Sequence, residues 1–153
     1  MLRFLTFVII LPFILSCDST FDASRLENDL AGTSWLFELA ETDEGDINNE
    51  PTASQRASIT FGERVENETS YTVNGYNGCN AFSGKYTLGS QSELTFSEIV
   101  QTERACPEEE ARIEAVFNQA IQGAKSYSYD GEILVIEAPG PSVKLRFIPS
   151  TED

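Results

Sequence analysis

Histidine is missing from all 153 residues, and that absence removes whole classes of chemistry. No Ser-His-Asp or Cys-His arrangement can be assembled, and no histidine-based zinc hydrolase site. A cysteine nucleophile would lack its usual imidazole base. Positive charge is scarce as well: 10 lysines and arginines face 25 acidic residues, for a formal net charge of −15. A surface this acidic repels nucleic acid, so nucleic acid is not expected among the partners, and any macromolecular partner should be basic. Paired carboxylates cut glycosides in some enzymes, but 25 acids make any chosen pair here arbitrary. Cysteine is limited to Cys17, Cys79 and Cys106, too few soft ligands for a metal centre without imidazole. The expectation is a protein with no catalytic residues, no metal and no cofactor.

A long apolar run is also lacking. The run from Phe4 to Leu15 follows a single charge at Arg3 and is interrupted by Pro12. At about 1.5 Å per residue it spans roughly 18 Å, short of the roughly 30 Å hydrocarbon core of a membrane. A charged start, a short apolar stretch and small residues at its end describe a secretory signal over residues 1–16. The ending Ile14–Cys17 resembles a bacterial lipobox, which implies cleavage before Cys17 and lipid on that cysteine. Two or more acyl chains would hold the protein stably on a membrane, at about 0.8 kcal/mol per buried methylene. Residues 17–29, polar and acidic, suit a flexible tether. The expected location is the bacterial cell envelope, with the protein lipid-anchored at the outer membrane or on a periplasmic face.

What is present beyond residue 30 is mostly strand-like. Ser34–Leu39, Ala57–Phe61, Thr69–Val73, Lys85–Leu88 and Leu94–Phe96 are short and rich in β-branched and aromatic residues, with turn formers between them. Glu41–Gln55 has no periodicity and collects Gly, Pro, Asn and Asp, so it reads as a surface loop. Its acids miss the spacing of a calcium loop. The period then changes once. Pro107 followed by Glu108, Glu109 and Glu110 starts a helix over roughly 107–122, since acids there oppose the helix dipole. Ile113, Val116, Phe117, Ala120, Ile121 and Ala124 form its apolar face, expected to pack on the sheet, and Gly123 is the expected stop. Tyr127 and Tyr129 lead into Asp130-Gly131, a hairpin signal that calls for positive φ at both turn residues. Ile133–Ile136 and Val143–Ile148 close the chain as strands. Strands before and after one helix predict an α+β, mainly β fold: an antiparallel barrel-like sheet with one packed amphipathic helix, over residues 30–149, with 150–153 as a tail.

With Cys17 assigned to lipid and an oxidising compartment around the domain, Cys79 and Cys106 become candidates for one disulfide. Such a loop would stabilise the fold by about 3.5 kcal/mol in the chain-entropy treatment.

Three segments carry a family resemblance that covers most of the chain beyond the signal. Gly32–Leu36 (GTSWL), Asn77–Tyr86 (NGCNAFSGKY) and Thr102–Pro107 (TERACP), in that order before an amphipathic helix, resemble the META domain of the heat-inducible HslJ-like lipoproteins. Arg104 stands where the family often has methionine. The resemblance implies a calycin-type barrel-like sheet with one helix, and an envelope protein linked to stress and antibiotic tolerance. Carried over to this chain, it implies structural roles for Trp35, Gly78, Asn80, Phe82, Gly84, Tyr86 and Thr102. Gly78 and Gly84 would serve tight turns, Asn80 would hydrogen-bond loop backbone, and Trp35, Phe82 and Tyr86 would fill the core. Ser83 with Lys85 is the one tight pair for a Ser-Lys nucleophile, without any evident oxyanion hole.

Two functional readings follow. One is a non-catalytic binding or stress-tolerance module that takes a small apolar ligand or a client protein. The other rests on Ser83–Gly89, which resembles the SGxKY loop of lipoprotein lysozyme inhibitors; an acidic carrier would be steered toward basic lysozyme.

Overall fold

The computed structural model describes residues 30–48 and 56–150. The expected signal peptide, Cys17 and the tether lie outside the described residues, as do 49–55 of the expected loop and 151–153 of the tail. No helix among the described residues is long and apolar enough to cross a membrane.

Among the described residues, nine strands and one long helix build the domain: β1 (Thr33–Thr42), β2 (Ile47–Asn48), β3 (Ser58–Arg64), β4 (Tyr71–Tyr76), β5 (Ala81–Leu88), β6 (Leu94–Gln101), α1 (Glu108–Gly123), β7 (Ser126–Tyr129), β8 (Leu134–Pro139) and β9 (Ser142–Pro149). All pairings are antiparallel, in the order β6-β5-β4-β3-β1-β9-β8-β7, with β2 added to β1. The first and last strands are neighbours, so the sheet folds back on itself. It curls into a half-barrel whose two end strands come together at one corner, where Glu93 bridges Ser126 and the Leu94 N–H donates to the Lys125 carbonyl at 3.1 Å.

Side-chain alternation sets the inner face. Ile59 and Phe61, Tyr71 and Val73, Leu134 and Ile136, and Val143, Leu145 and Phe147 all point into the curl and are buried. In β1 the alternation breaks: Trp35 and Phe37 are buried, then Ala40 instead of Leu39. A bulge between Phe37 and Leu39 against β9 supplies the extra residue and switches the inward parity.

The amphipathic helix packs as its spacing predicts. Ile113, Val116, Phe117, Ala120 and Ile121 are all buried. Phe117 sits at the centre, with ring centroids 6.2 Å from Phe37, 6.0 Å from Phe147 and 5.5 Å from Phe82, so one side chain joins β1, β9 and β5 to the helix. A second aromatic cluster lies further along the curl, where Tyr86 meets Phe61 at 5.0 Å and Tyr71 at 5.1 Å. The inside of the half-barrel is thus filled by aromatic rings.

Several local expectations are corrected. The segment read as loop from Glu41 holds the end of β1 and all of β2, because Ile47 and Asn48 pair with Ala40 and Leu39 across a Thr42–Gly45 turn. Gly123 is the last helical residue without positive φ; Ala124, in extended conformation, ends the helix. A Cβ at Gly123 would stand 3.2 Å from that of Ala138, so the glycine serves helix–sheet approach. The Asp130-Gly131 hairpin has positive φ only at Gly131. Its four-residue loop is held by the Asp130 carboxylate, which accepts from the Glu132 and Ile133 N–H groups at 2.9 and 2.8 Å.

Candidate functional site

The β4–β5 connection, Asn77–Asn80, is a four-residue turn built by its own first side chain. The Asn77 Oδ1 accepts from the Cys79 and Asn80 N–H groups at 3.1 and 2.7 Å, while the Asn77 N–H donates to the Asn80 carbonyl at 3.0 Å. Gly78 has φ +99°, and a Cβ there would stand 2.7 Å from Ile113 Cγ2, so both the turn and the approach of α1 require glycine.

The two buried asparagines then reach outward. Asn80 Oδ1 accepts from the Arg104 N–H at 2.9 Å and the Thr102 hydroxyl at 3.0 Å, and its Nδ2 donates to Glu114 at 2.9 Å. Asn77 Nδ2 donates to Asn118 at 3.0 Å and to Gln101 at 3.2 Å. Two side chains therefore hold four segments: the turn itself, the end of β6, the strand-to-helix connection and α1. The Cys79–Cys106 disulfide, with Cα atoms 5.9 Å apart, joins the turn to that connection covalently. Asn77 was not singled out from sequence, although an Asn-Gly pair at the head of a hairpin turn is a signal for this side-chain cap. Arg104, at the position of the family methionine, extends outward and donates to the Tyr76 hydroxyl at 2.8 Å.

The other predicted motif residues sit elsewhere. Trp35 is buried, donates its indole N–H to the Thr33 hydroxyl at 2.7 Å and meets Tyr129 edge-on at 5.3 Å. Phe82 packs on Phe117, and burial pushes the Tyr86 hydroxyl well above its ordinary pKa. Gly84 lies within β5, not in a turn. It stands at the bulge between β5 and β6, where a Cβ would meet Ile99 Cδ1 at 2.5 Å and the Ser97 carbonyl at 2.9 Å.

Lys85 is held by two carboxylates on the outer face of the sheet, Glu68 at 3.0 Å and Glu98 at 3.2 Å. These partners raise its pKa, Glu68 contributing most, so the lysine stays protonated and cannot serve Ser83 as a base. Among the described residues no three Cys, Asp or Glu side chains are placed to hold a metal ion.

The concavity that gathers separated parts of the chain is a surface groove of about 370 Å³ beside α1. The β1–β2 hairpin contributes Thr42, Asp43, Glu44 and Ile47, the helix contributes Arg112, Ala115, Val116 and Gln119, and the β8–β9 hairpin contributes Pro141 and Ser142. A shallower depression continues it past Ile47 and Arg112 toward Asp46 and Glu109.

Comparison with known proteins places this architecture. The chain is similar in structure to a protein from Burkholderia xenovorans solved by NMR, with a TM-score of 0.64 and 21% identity over 85% of this chain and 88% of that one. It is also similar to a DUF4847 family protein from Bacteroides vulgatus, with a TM-score of 0.53 and 15% identity over 84% of this chain and 99% of that one. These likenesses concern the fold. No curated protein matches. The META domain matches residues 28–150, a span that holds the turn, the disulfide and the helix they fasten, and the chain belongs to the META domain family.

Proposed function

We propose that this META-type chain is a lipid-anchored envelope protein that acts by binding a client protein at its surface, without turning over a substrate, and so supports tolerance of heat or antibiotics. The observation that carries the reading is the destination of the motif side chains. Asn80 and Thr102 are hydrogen-bonded within the domain, Trp35, Phe82 and Tyr86 are packed inside it, and the two cysteines are bonded to each other. None is left as an exposed nucleophile or base. The aromatic filling of the half-barrel favours a client on the outside over a small apolar ligand within it.

The client-binding reading is preferred to the lysozyme-inhibitor alternative because of where the Ser83–Lys85 segment lies. Ser83 and Lys85 lie in a strand paired on both sides, on either side of the bulge at Gly84, with the lysine engaged by Glu68 and Glu98.

The test combines a deletion strain with titration of purified Asp18–Asp153. The reading expects heightened heat or drug sensitivity on deletion, restored by wild type, and no saturable uptake of an apolar fluorophore such as a naphthalene sulfonate. Unchanged sensitivity would remove the stress role. Salt-sensitive inhibition of lysozyme abolished by Lys85→Ala would replace this reading with the alternative.

A further inference from the structure

We infer that the groove beside α1 is the docking site for an extended basic segment of a partner protein carrying aliphatic side chains between its positive charges; this rests on the binding reading above and gives it a place. Three observations converge on the groove. Its floor is aliphatic: Val116 and Ile47 lie along it, with Ala115 and Pro141 at its sides. Its rim is acidic: Asp43 and Glu44 stand at one end, Asp46 and Glu109 at the other, all exposed. None of these four carboxylates makes an ion pair among the described residues, whereas Glu38, Glu41, Glu98 and Glu137 on the sheet and Glu68 in the β3–β4 turn do. The rim is therefore open to cations brought by another molecule.

The net charge of −15 steers a basic partner toward the domain as a whole. The groove adds apolar contact that general attraction lacks. Arg112, where the two depressions meet, is exposed and has no ion pair among the described residues. It stands where its guanidinium can donate to main-chain carbonyls of an extended segment, which suits a peptide better than a compact cation.

The test uses the full chain from Asp18 and three fluorescein-labelled peptides: Lys-Lys-Leu-Val-Leu-Lys-Lys, Lys-Lys-Ser-Gly-Ser-Lys-Lys and Glu-Glu-Leu-Val-Leu-Glu-Glu. The first should bind best and weaken as salt rises. Ala115→Tyr, which fills the groove from an exposed helical position, and Glu44→Lys should each weaken it about tenfold, a loss of roughly 1.4 kcal/mol. Glu66→Lys, the same charge change in the β3–β4 turn, should weaken it much less. Circular dichroism melts establish that each variant is folded before titration. Equal binding of the Ser-Gly peptide, or equal losses in Glu44→Lys and Glu66→Lys, would reduce the effect to bulk charge and overturn the docking site. Amide chemical-shift changes confined to another face would overturn the groove while leaving surface binding intact. If the leucine peptide does not bind at all, the groove proposal falls, and the deletion phenotype still judges the functional reading separately.

Discussion

Gly78 and Gly131 both have positive φ, yet they differ in what surrounds them. A Cβ at Gly131 meets nothing within 4 Å, whereas one at Gly78 runs into Ile113. Gly131→Ala should therefore cost only the backbone strain, about 1 kcal/mol, and Gly78→Ala about 2–4 kcal/mol because the helix must also move. Urea denaturation of the two variants checks the difference; equal losses would mean that the Ile113 contact is easily relieved. Charge at single residues sets the pH response. Asp130 is held below its ordinary pKa of 3.8 by the Ile133 and Glu132 N–H groups, and Glu68 below 4.5 by the Ser70 hydroxyl and then Lys85. A depressed carboxylate contributes stability that is complete above its unfolded pKa and lost as pH falls through the lower folded value. Thermal midpoints should accordingly drop as acid is added below about pH 4.5, and Asp130→Asn with Glu68→Gln should flatten that slope. Lys85 has the opposite sign, its contribution persisting until pH rises through a folded value above 10.5.

At the scale of elements, the helix depends on Phe117 more than on its own propensity. Truncation to alanine removes contacts to three strands at once and should cost about 3–5 kcal/mol, read from chemical denaturation with an unchanged far-ultraviolet spectrum at low denaturant. A loss below about 1 kcal/mol would show that the aromatic cluster repacks around the gap. Elements also show what sequence could and could not convey. The helix was legible because six apolar positions at three- and four-residue spacing leave little choice. The beginning of β5 was not: Ala81, Ser83 and Gly84 have turn or neutral character, and they form a strand only because β4 and β6 pair on either side. For β2, two residues carry no period at all, and register against Leu39 and Ala40 decides the matter. Gly123 misled because glycine near a helix end signals a cap, while here its missing Cβ lets the helix lie against β8.

For the whole molecule, the cysteine pairing was legible from the count and the expected compartment, but the asparagine clamp around it was not. That clamp draws on β6, the connection after it and α1, which no local pattern relates. The groove was hidden for the same reason, since its walls come from two hairpins and a helix far apart in sequence. Anchoring is tested at this scale too: fractionation of wild type and Cys17→Ala should show the variant leaving the membranes, and equal retention would contradict lipid attachment at Cys17. Reduction of Cys79–Cys106 should lower stability by about 3.5 kcal/mol without changing the fold, because the asparagine bonds still hold the same segments. The central claim is that the family motif exists to fasten the turn, the connection and the helix into one body. Equilibrium denaturation of Asn80→Ala tests it most directly. Loss of its bonds to Thr102, Arg104 and Glu114 removes three hydrogen bonds made by a buried side chain, at about 1 kcal/mol each, and should lower stability by about 2–4 kcal/mol while the transition stays cooperative. Stability within about 0.5 kcal/mol of wild type would contradict a fastening role for Asn80.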